Sequence, residues 1–330
     1  MSAPFASEVD ARPERPPIPR VHFVPDADPG ASPAPARAPE SWREVLAGLF
    51  RGELFVFPAT AASRALVAAA RECLGQVVGP DAQPAAATAT ATADADAADA
   101  WRCPALSAAQ VRAVRAALYA RPELPARAAR VVASLGFPAR TRLDAPRLRV
   151  ITAGAEREPA AAPVYVAHRD TWYGCAQAQV NWWMPVFDTP SEQAFVFYPD
   201  AFARAVANTS AGFDYERWMA AIGWHGEAPV EAYPQPTAAA YAELTRARER
   251  RFDFGAGDIL LFAAAQLHQT RPNPIAGTSR LSVDIRTVID PSSEDLAGPG
   301  AAGRWAAPNV DNASTGADTR VAREFAPGAG

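Results

Sequence analysis

The stretch RLSVDIRTVI, residues 280–289, alternates polar and apolar side chains with the period of two that is typical of a β-strand. Leu281, Val283 and Ile285 share one face. The opposite face carries Arg280, Ser282, Asp284 and Arg286. Because buried charges need polar partners, this inverted strand predicts a sheet whose inner face borders a polar cavity.

A second run, AQAQVNWWMPVF at 176–187, has the same alternation. The amide side chains on one face belong to Gln177, Gln179 and Asn181. We expect Gln179 and Asn181 to line the same cavity, where they would hold the ends of a co-substrate or of a polar substrate. Pairing between strands is an equally good explanation of both amides.

Short β-rich runs fill the chain from Arg147 to Asp290, separated by Pro, Gly, Asp or Asn. They include RLRVITA, VYVAHRD, AFVFYP, DILLFAA and QLHQT. Many short strands with turn residues between them predict a sandwich or a barrel. Residues 201–250 interrupt the pattern with helical periodicity, which predicts an insertion between strands.

Two of the 4 histidines lie in these runs. On a strand, His168 and Asp170 would point the same way and reach one ion, and His268 follows the apolar strand of GDILLF. Two imidazoles and one carboxylate leave three positions open on a metal, which suits ferrous iron and O2. A surface hydrogen-bonded pair explains His168 and Asp170 equally well when they are taken alone. His225 is a rival for the distal ligand, but its Gly-flanked setting is typical of a loop.

Arg280 follows His268 by twelve residues, and Ser282 lies two residues further on. An interior arginine needs a carboxylate, which its planar fork binds through two hydrogen bonds. A dicarboxylic co-substrate would supply that group, and Ser282 would add a hydroxyl. The alternative for Arg280 is a buried ion pair with Asp284. Arg286 would contact the substrate, pair with Asp284, or extend to solvent at the strand end.

The order HxD, GDxLxF, a distal His and RxS resembles the Fe(II)/2-oxoglutarate-dependent oxygenases. The run NWWMPVFDTPSEQAFVFYPDAF, residues 181–202, is similar to a segment of the phytanoyl-CoA dioxygenase-type members. The resemblance covers roughly Arg147 to Ile289, under half of the chain. Each motif is weak alone, and the combination is specific.

The resemblance implies a mainly β fold: a double-stranded β-helix, or jelly-roll and cupin-like core, with flanking helices. It implies that His168, Asp170 and His268 hold Fe(II), and that Arg280 with Ser282 binds the distal carboxylate of 2-oxoglutarate. The other end of 2-oxoglutarate would chelate the iron, and O2 would take the last position. Decarboxylation to succinate and CO2 would drive hydrogen abstraction from a substrate. Related halogenases lack the carboxylate ligand, so Asp170 favours hydroxylation or desaturation.

Composition divides the chain into four regions. They are a disordered leader at 1–40, a helical support region at 41–136 with a low-complexity loop at 84–100, a catalytic core at 137–290 with the insertion 201–250, and a weakly structured tail at 291–330. Trp305 and Phe325 are the tail residues suited to dock it. Trp172 and Tyr173, just past the HxD motif, would either form a wall of the substrate pocket or pack in the core.

The composition also excludes several classes of function. The chain contains no lysine, since its 32 Lys and Arg residues are all arginine, so it has no Schiff-base, pyridoxal-phosphate or Walker-type lysine. A net charge of −4 indicates neither a nucleic-acid nor a membrane partner. The 3 cysteines form no CxxC pair, and the N-terminus has no apolar signal region. We therefore expect a cytoplasmic protein.

The sequence thus predicts an Fe(II)- and 2-oxoglutarate-dependent oxygenase that hydroxylates a small polar metabolite, in specialised metabolism. Two alternatives stay open. One is a cupin-like protein that binds a metal or ligand without catalysis. The other is a metal enzyme on the same barrel that does not use 2-oxoglutarate and has no need of Arg280 and Ser282 facing the cavity.

Overall fold

The computed structural model describes residues 16–24, 39–79, 103–223, 232–289, 296 and 305–326. The helices in these ranges are α1 (Trp42–Leu49), α2 (Ala61–Val78), α3 (Ala108–Tyr119), α4 (Leu124–Ser134), α5 (Tyr215–Ala221), α6 (Ala238–Leu244) and α7 (Ala317–Glu324). The strands are β1 (Val21–Phe23), β2 (Leu54–Phe57), β3 (Arg142–Asp144), β4 (Arg147–Thr152), β5 (Gln179–Pro185), β6 (Phe195–Phe197), β7 (Ile259–Ala263), β8 (His268–Thr270), β9 (Ser279–Val288) and β10 (Phe325–Ala326). No helix of the described ranges is both long and apolar enough to cross a membrane.

The main sheet is 8-stranded and antiparallel, in the order β1-β2-β7-β5-β9-β3-β10, with β4 also paired to β9. Strand β9 is the longest and lies at its centre: β5 pairs along one side, and β4 followed by β3 pairs along the other. Neighbours on both sides satisfy its backbone groups. The inverted strand therefore organises the sheet.

The alternation predicted for β9 is confirmed by its packing. Leu281, Val283 and Ile285 belong to the largest apolar cluster, which also contains the inner faces of the helices. In β5 the two tryptophans separate in the same way: Trp182 lies in that cluster, and Trp183 lies in a second cluster on the other face. The sheet thus has a helix-covered face and a cavity face.

A small sheet of β6 and β8 covers the cavity face. An aromatic layer joins the two sheets, since the Phe195 ring lies 5.4 Å from Trp183 and 6.0 Å from Phe262, centroid to centroid. Two antiparallel sheets packed face to face, with helices outside the larger one, form the predicted double-stranded β-helix core. The polar face of β9 lies on its inside.

The helices that cover the main sheet begin at residues that cap their free N–H groups. Ser107 accepts a hydrogen bond from the Gln110 N–H, and the Gln110 side chain accepts one from the Ser107 N–H, which together form a capping box. Thr60 and Ser63 form the same arrangement at α2. Apolar side chains of both helices, such as Leu66 and Val114, then face the sheet.

Three predictions differ from the structure. VYVAHRD is not a strand, because 3-10 turns occupy Pro159–Tyr165 and Asp170–Tyr173, and Pro163 lies within the first turn. The disordered leader predicted at 1–40 is wrong for residues 16–24, where β1 adds to the edge of the sheet and His22 contacts Glu53 at 2.6 Å.

The prediction of a weakly structured tail is wrong for residues 305–326. Helix α7 and strand β10 lie there, and Phe325 is buried beside β3 in the main core. The loop at 84–100 and His225 lie outside the described residues. The division of the chain into domains stays a prediction.

Truncating the helix-facing side of β9 tests this architecture. We expect Leu281→Ala to lower the free energy of unfolding by about 2–5 kcal/mol, because Leu281 is 1% exposed and its removal leaves a cavity between sheet and helices. Arg142→Ala, at an exposed position of β3, should change the free energy by about 0.5 kcal/mol or less. Equal effects in urea unfolding would contradict the assignment of Leu281 to the core.

Candidate metal centre

Two chain segments bring together the three side chains that the sequence predicts as ligands. The first segment carries His168 and Asp170, and the 3-10 turn Asp170–Tyr173 begins at the second of these residues. The second segment is β8, which begins at His268. Backbone hydrogen bonds join the segments: the His168 N–H donates to the His268 carbonyl at 2.9 Å, and the His268 N–H returns one at 3.0 Å. The histidines are therefore antiparallel neighbours, and their rings meet on one side of this bridge.

The three ligand atoms lie within 4.8 Å of one another. Asp170 Oδ1 is 3.3 Å from His168 Nε2 and 3.9 Å from His268 Nε2. Two atoms bound at right angles to one ion at about 2.1 Å are about 3.0 Å apart. The spacing between Asp170 and His168 is close to this value, and the spacing between Asp170 and His268 is longer by about 0.9 Å.

The backbone fixes which ring nitrogens are available. His168 Nδ1 lies 2.8 Å from the Val166 carbonyl oxygen, and His268 Nδ1 lies 2.9 Å from that of Gln266. A carbonyl oxygen only accepts, so each Nδ1 carries the proton and each Nε2 presents a lone pair. Two ring nitrogens and a carboxylate oxygen then converge, and these are donor atoms that a metal cation takes.

The surroundings keep these groups in their ligating forms. Burial, together with a smaller effect of the neighbouring His168, lowers the pKa of His268 to about 3, so the imidazole is neutral at neutral pH. Three phenylalanine rings surround His268, the nearest being Phe262 at 4.9 Å between centroids. Burial by itself raises the pKa of Asp170, but His168, Arg286 and His268 outweigh it and hold that pKa well below its usual value. The carboxylate is therefore ionised.

The other oxygen of Asp170 is held by the polar face of the main sheet. Asn181 donates to Asp170 Oδ2 at 2.8 Å, and Gln179 donates to the Asn181 side-chain oxygen at 3.0 Å. Arg286 Nε lies 3.8 Å from the same Oδ2. These partners leave Oδ1 directed to the histidines. The structure thus places Gln179 and Asn181 behind the ligand carboxylate, with Asn181 also lining the cavity.

Arg286 is buried in a second ionic contact. Its guanidinium lies 3.4 Å from Asp144 Oδ2, and the backbone N–H of Arg286 donates to Asp144 Oδ1 at 2.8 Å. The expected alternative of a pair with Asp284 is wrong, because Asp284 binds Arg149 and accepts from Ser282 at 3.2 Å. Arg286 also lines the cavity, so a contact with substrate stays a prediction.

Arg280 lies on the same face of β9 as Arg286, but the described residues that line the cavity do not include it. It is 4% exposed, and Nη1 donates to the Gln193 carbonyl, whereas Nε and Nη2 are buried without a hydrogen-bond partner in the described part of the chain. Its guanidinium lies against two rings that line the cavity, 5.8 Å from Trp183 and 5.6 Å from Phe195. Burial lowers its pKa to about 10, which leaves it charged at neutral pH.

The unsatisfied donors of Arg280 indicate a missing acceptor. Leaving a buried charged donor unpaired costs free energy that a carboxylate would recover through two hydrogen bonds. The predicted ion pair between Arg280 and Asp284 does not form, since Asp284 is engaged by Arg149. Ser282, expected to assist Arg280, instead donates to Asp284.

The cavity opens partly to solvent and borders all three ligands; the space within it, open solvent included, is about 380 Å³. Its other lining residues are Arg149, Asn181, Trp182, Trp183, Phe195, Phe262, Thr270, Asp284, Ile285 and Arg286. Trp172, a predicted pocket residue, is fully buried in the core and donates to Asp311. Tyr173 packs edge-on against His168 at 5.1 Å, and burial and the Asp170 charge raise its pKa.

Sequence reasoning missed Arg149 and Asp311. Arg149 lies on the polar face of β4, opposite Ser282, and alternation in RLRV was the signal that would have found it. Asp311 lies in a Gly- and Ala-rich region without periodicity. No local pattern marks it, because its partners are more than a hundred residues away.

Comparison with known proteins gives structural likeness without sequence similarity. No protein-family model matches the chain, and no curated protein matches it. Three solved structures illustrate the likeness. They are the epimerase SnoN in complex with Fe3+, alpha ketoglutarate and nogalamycin RO (16% identity, TM-score 0.38, 82% of this chain and 96% of that one), EvdO2 from Micromonospora carbonacea var. aurantiaca with 2-oxoglutarate (12%, 0.40, 74% and 89%), and EctD from S. alaskensis in its apoform (16%, 0.37, 82% and 82%).

At such TM-scores and identities these structures carry no conclusion about activity. The sheet-rich core and the His-Asp-His triad, which the resemblance implied, are confirmed by this chain's own coordinates. The phytanoyl-CoA dioxygenase-type branch stays a prediction.

Removing the support behind Asp170 should weaken metal binding. We expect Asn181→Ala to lower the affinity for Co(II), a spectroscopic substitute for iron, by about 10- to 100-fold, because Asp170 Oδ2 loses its hydrogen bond. Gln76→Ala, which truncates an amide side chain at an exposed position of α2, is the control. Anaerobic titration followed by absorbance measures both, and equal affinities would contradict the supporting role of Asn181.

The low pKa of His268 makes the metal-free protein sensitive to acid. The unfolded chain binds a proton on this ring near pH 6.5, and the folded chain does so only near pH 3. Between these values the unfolded state holds more protons, so stability falls as pH falls, by at most about 1.4 kcal/mol per pH unit. Urea unfolding at a series of pH values in this window should show that the free energy of unfolding falls less steeply with pH in His268→Asn than in the native protein. Parallel curves for the two proteins would contradict the assignment.

Proposed function

We propose that this chain is an Fe(II)- and 2-oxoglutarate-dependent oxygenase acting on a small polar molecule. One observation carries the proposal: a buried triad of metal-ligating atoms lies on the cavity face of the main sheet together with Arg280, whose buried Nε and Nη2 have no acceptor among the described residues. The first feature calls for a cation, and the second calls for a carboxylate. A dicarboxylic co-substrate that also ligates a metal meets both requirements.

The donor set favours ferrous iron. Two neutral imidazoles and one carboxylate occupy one side of the ion and leave three positions for other ligands. Thiolates, which would favour zinc, are absent from the triad, and the described cysteines are Cys73, Cys103 and Cys175. Bound iron would supply the activation of O2, and the residues around it determine where the other reactants lie.

Arg280 would bind and orient 2-oxoglutarate. Its Nε and Nη2 are available for the distal carboxylate, and the Gln193 carbonyl holds Nη1 in place. The Trp183 and Phe195 rings hold the guanidinium from the sides and exclude water from the ion pair that forms. Because the arginine is positioned before the carboxylate arrives, little ordering is needed on binding.

The finer assignment concerns the substrate and the reaction. Arg149 has a side chain that is 35% exposed, lines the cavity, and uses Nε for Asp284. A substrate with a carboxylate or other polar group would meet its outer nitrogens. Since Asp170 occupies the position that would otherwise admit a halide, we propose hydroxylation or desaturation.

The two alternatives from the sequence are less well supported. A protein that binds a metal or a ligand without catalysis has no need of both the metal ligands and the unpaired donors of Arg280. A metal enzyme independent of 2-oxoglutarate leaves the buried donors of Arg280 without a function. The unsatisfied Nε and Nη2 therefore favour the oxygenase.

Binding of Fe(II) and 2-oxoglutarate without oxygen tests the proposal. We expect a visible metal-to-ligand charge-transfer band in the native chain, none in His268→Ala, and a weakened band with at least about 10-fold lower 2-oxoglutarate affinity in Arg280→Ala, which loses a charged hydrogen-bonded pair.

Arg142→Ala serves as an arginine control outside the cavity. Omission of 2-oxoglutarate should abolish succinate formation and O2 consumption. A folded, iron-loaded protein that gives no band with 2-oxoglutarate would refute the proposal and favour the alternatives.

A further inference from the structure

The C-terminal segment 305–326, called the tail below, contacts the chain that carries two of the three proposed ligands. We infer that Asp311 of the tail is a positioning residue for the metal centre, which sets the conformation of His168 and Asp170 through Arg169. The inference rests on the proposed metal centre, and concerns how this chain builds it.

Arg169 lies between the two ligands in sequence and points away from the metal. Its side chain is 1% exposed, and Nε donates to Asp311 Oδ2 at 3.0 Å. Nη2 donates to the carbonyls of Ala201 at 2.6 Å and Arg204 at 2.9 Å, and Nη1 donates to that of Ala265, three residues before His268. One guanidinium thus ties the HxD segment to the segment of the third ligand.

Asp311 supplies the only carboxylate within ion-pair distance of Arg169 among the described residues. It also accepts from the Trp172 indole at 2.8 Å and from the Val206 N–H at 3.0 Å. Its side chain is 5% exposed, and three N–H groups converge on its two oxygens, two from the HxD segment and one from Val206. An asparagine has one acceptor oxygen and presents an N–H₂ on the other side, so it would leave a buried donor unpaired.

Further contacts extend this arrangement along the HxD segment. Ser314 Oγ lies 3.1 Å from the Thr171 carbonyl oxygen and accepts from the Gly174 N–H at 3.2 Å. Arg320 donates to the Tyr173 carbonyl, and the Ala307 N–H donates to that of Gln177 at 2.9 Å. The tail therefore fixes the backbone from 171 to 177 as well.

The approach is close enough to require a glycine. Gly174 has a φ of +71°, and a Cβ there would lie 3.2 Å from the Thr315 carbonyl oxygen. A glycine adopts this left-handed backbone conformation easily and has no side chain, so the 3-10 turn of the HxD segment can end in contact with the tail.

A second, ionic route joins the tail to Asp170. Glu324 of α7 binds Arg147 at 3.2 Å, and Arg147 lies 3.5 Å from Asp144. Asp144 in turn pairs with Arg286, the neighbour of Asp170. Both ends of the ligand pair are thus connected to the tail, through Arg169 and through Arg286.

The affinity of tail variants for a metal ion tests the inference. We expect Asp311→Asn to lower Co(II) affinity by about 10-fold or more, since partners behind the ligands typically contribute that much. Asp318→Asn, the same change at an exposed tail position, should bind Co(II) like the native protein. Ser314→Ala removes a milder contact and should show a smaller loss in the same direction, which keeps the test available if Asp311→Asn does not fold.

Hydrogen exchange of the metal-free proteins provides the second readout. Amides of residues 168–177 should exchange faster in Asp311→Asn than in Asp318→Asn, and Co(II) should slow exchange at the Ala307 amide of the native protein, because coupling between sites is reciprocal. A folded Asp311→Asn with native Co(II) affinity and native exchange would overturn the inference. Absence of Co(II) binding in the folded native protein would instead overturn the metal centre, while the exchange comparison still tests the positioning.

Discussion

The polar face of β9 imposes the constraint that the rest of the structure satisfies: charges placed inside a β-core must be matched there. Arg286 is matched by Asp144 and by the ligand Asp170, and Asp284 is matched by Arg149 and Ser282. Arg280 alone on this strand keeps donors without acceptors among the described residues. The strand therefore supports the proposed metal ligand and carries the unpaired charge that we propose for a co-substrate, and its apolar face joins the site to the helix-packed core.

The sequence predicted what depends on local alternation, and failed where distant segments decide. The two faces of β9 follow from a period of two and are present as expected. The HxD motif was expected on a strand, but a 3-10 turn begins at Asp170, and His168 faces His268 through a single bridge rather than a ladder. The three ligands still converge, because the bridge brings the histidines together and the turn directs Asp170 back to them.

The remaining errors concern partners chosen by register. Which carboxylate pairs with which arginine depends on the alignment of β4, β5 and β9, and alternation alone cannot distinguish Arg149 from Arg280 as the partner of Asp284. The tail was expected to be weakly structured from its composition. Its order comes from side chains such as Asp311 that are bound by the core, and such contacts leave no periodic signal.

The position of the tail in the chain has a consequence for biosynthesis. Residues 305–326 leave the ribosome after His168, Asp170 and His268, so a nascent chain that already holds all three ligands lacks the contacts of Asp311 with Arg169 and Trp172. If Asp311 positions the ligands as we infer, metal binding is favoured only after those later residues have been made and docked. A chain interrupted upstream of the tail would then bind the metal more weakly than the chain that carries the tail, and the order of synthesis would delay metal binding until the fold is in place.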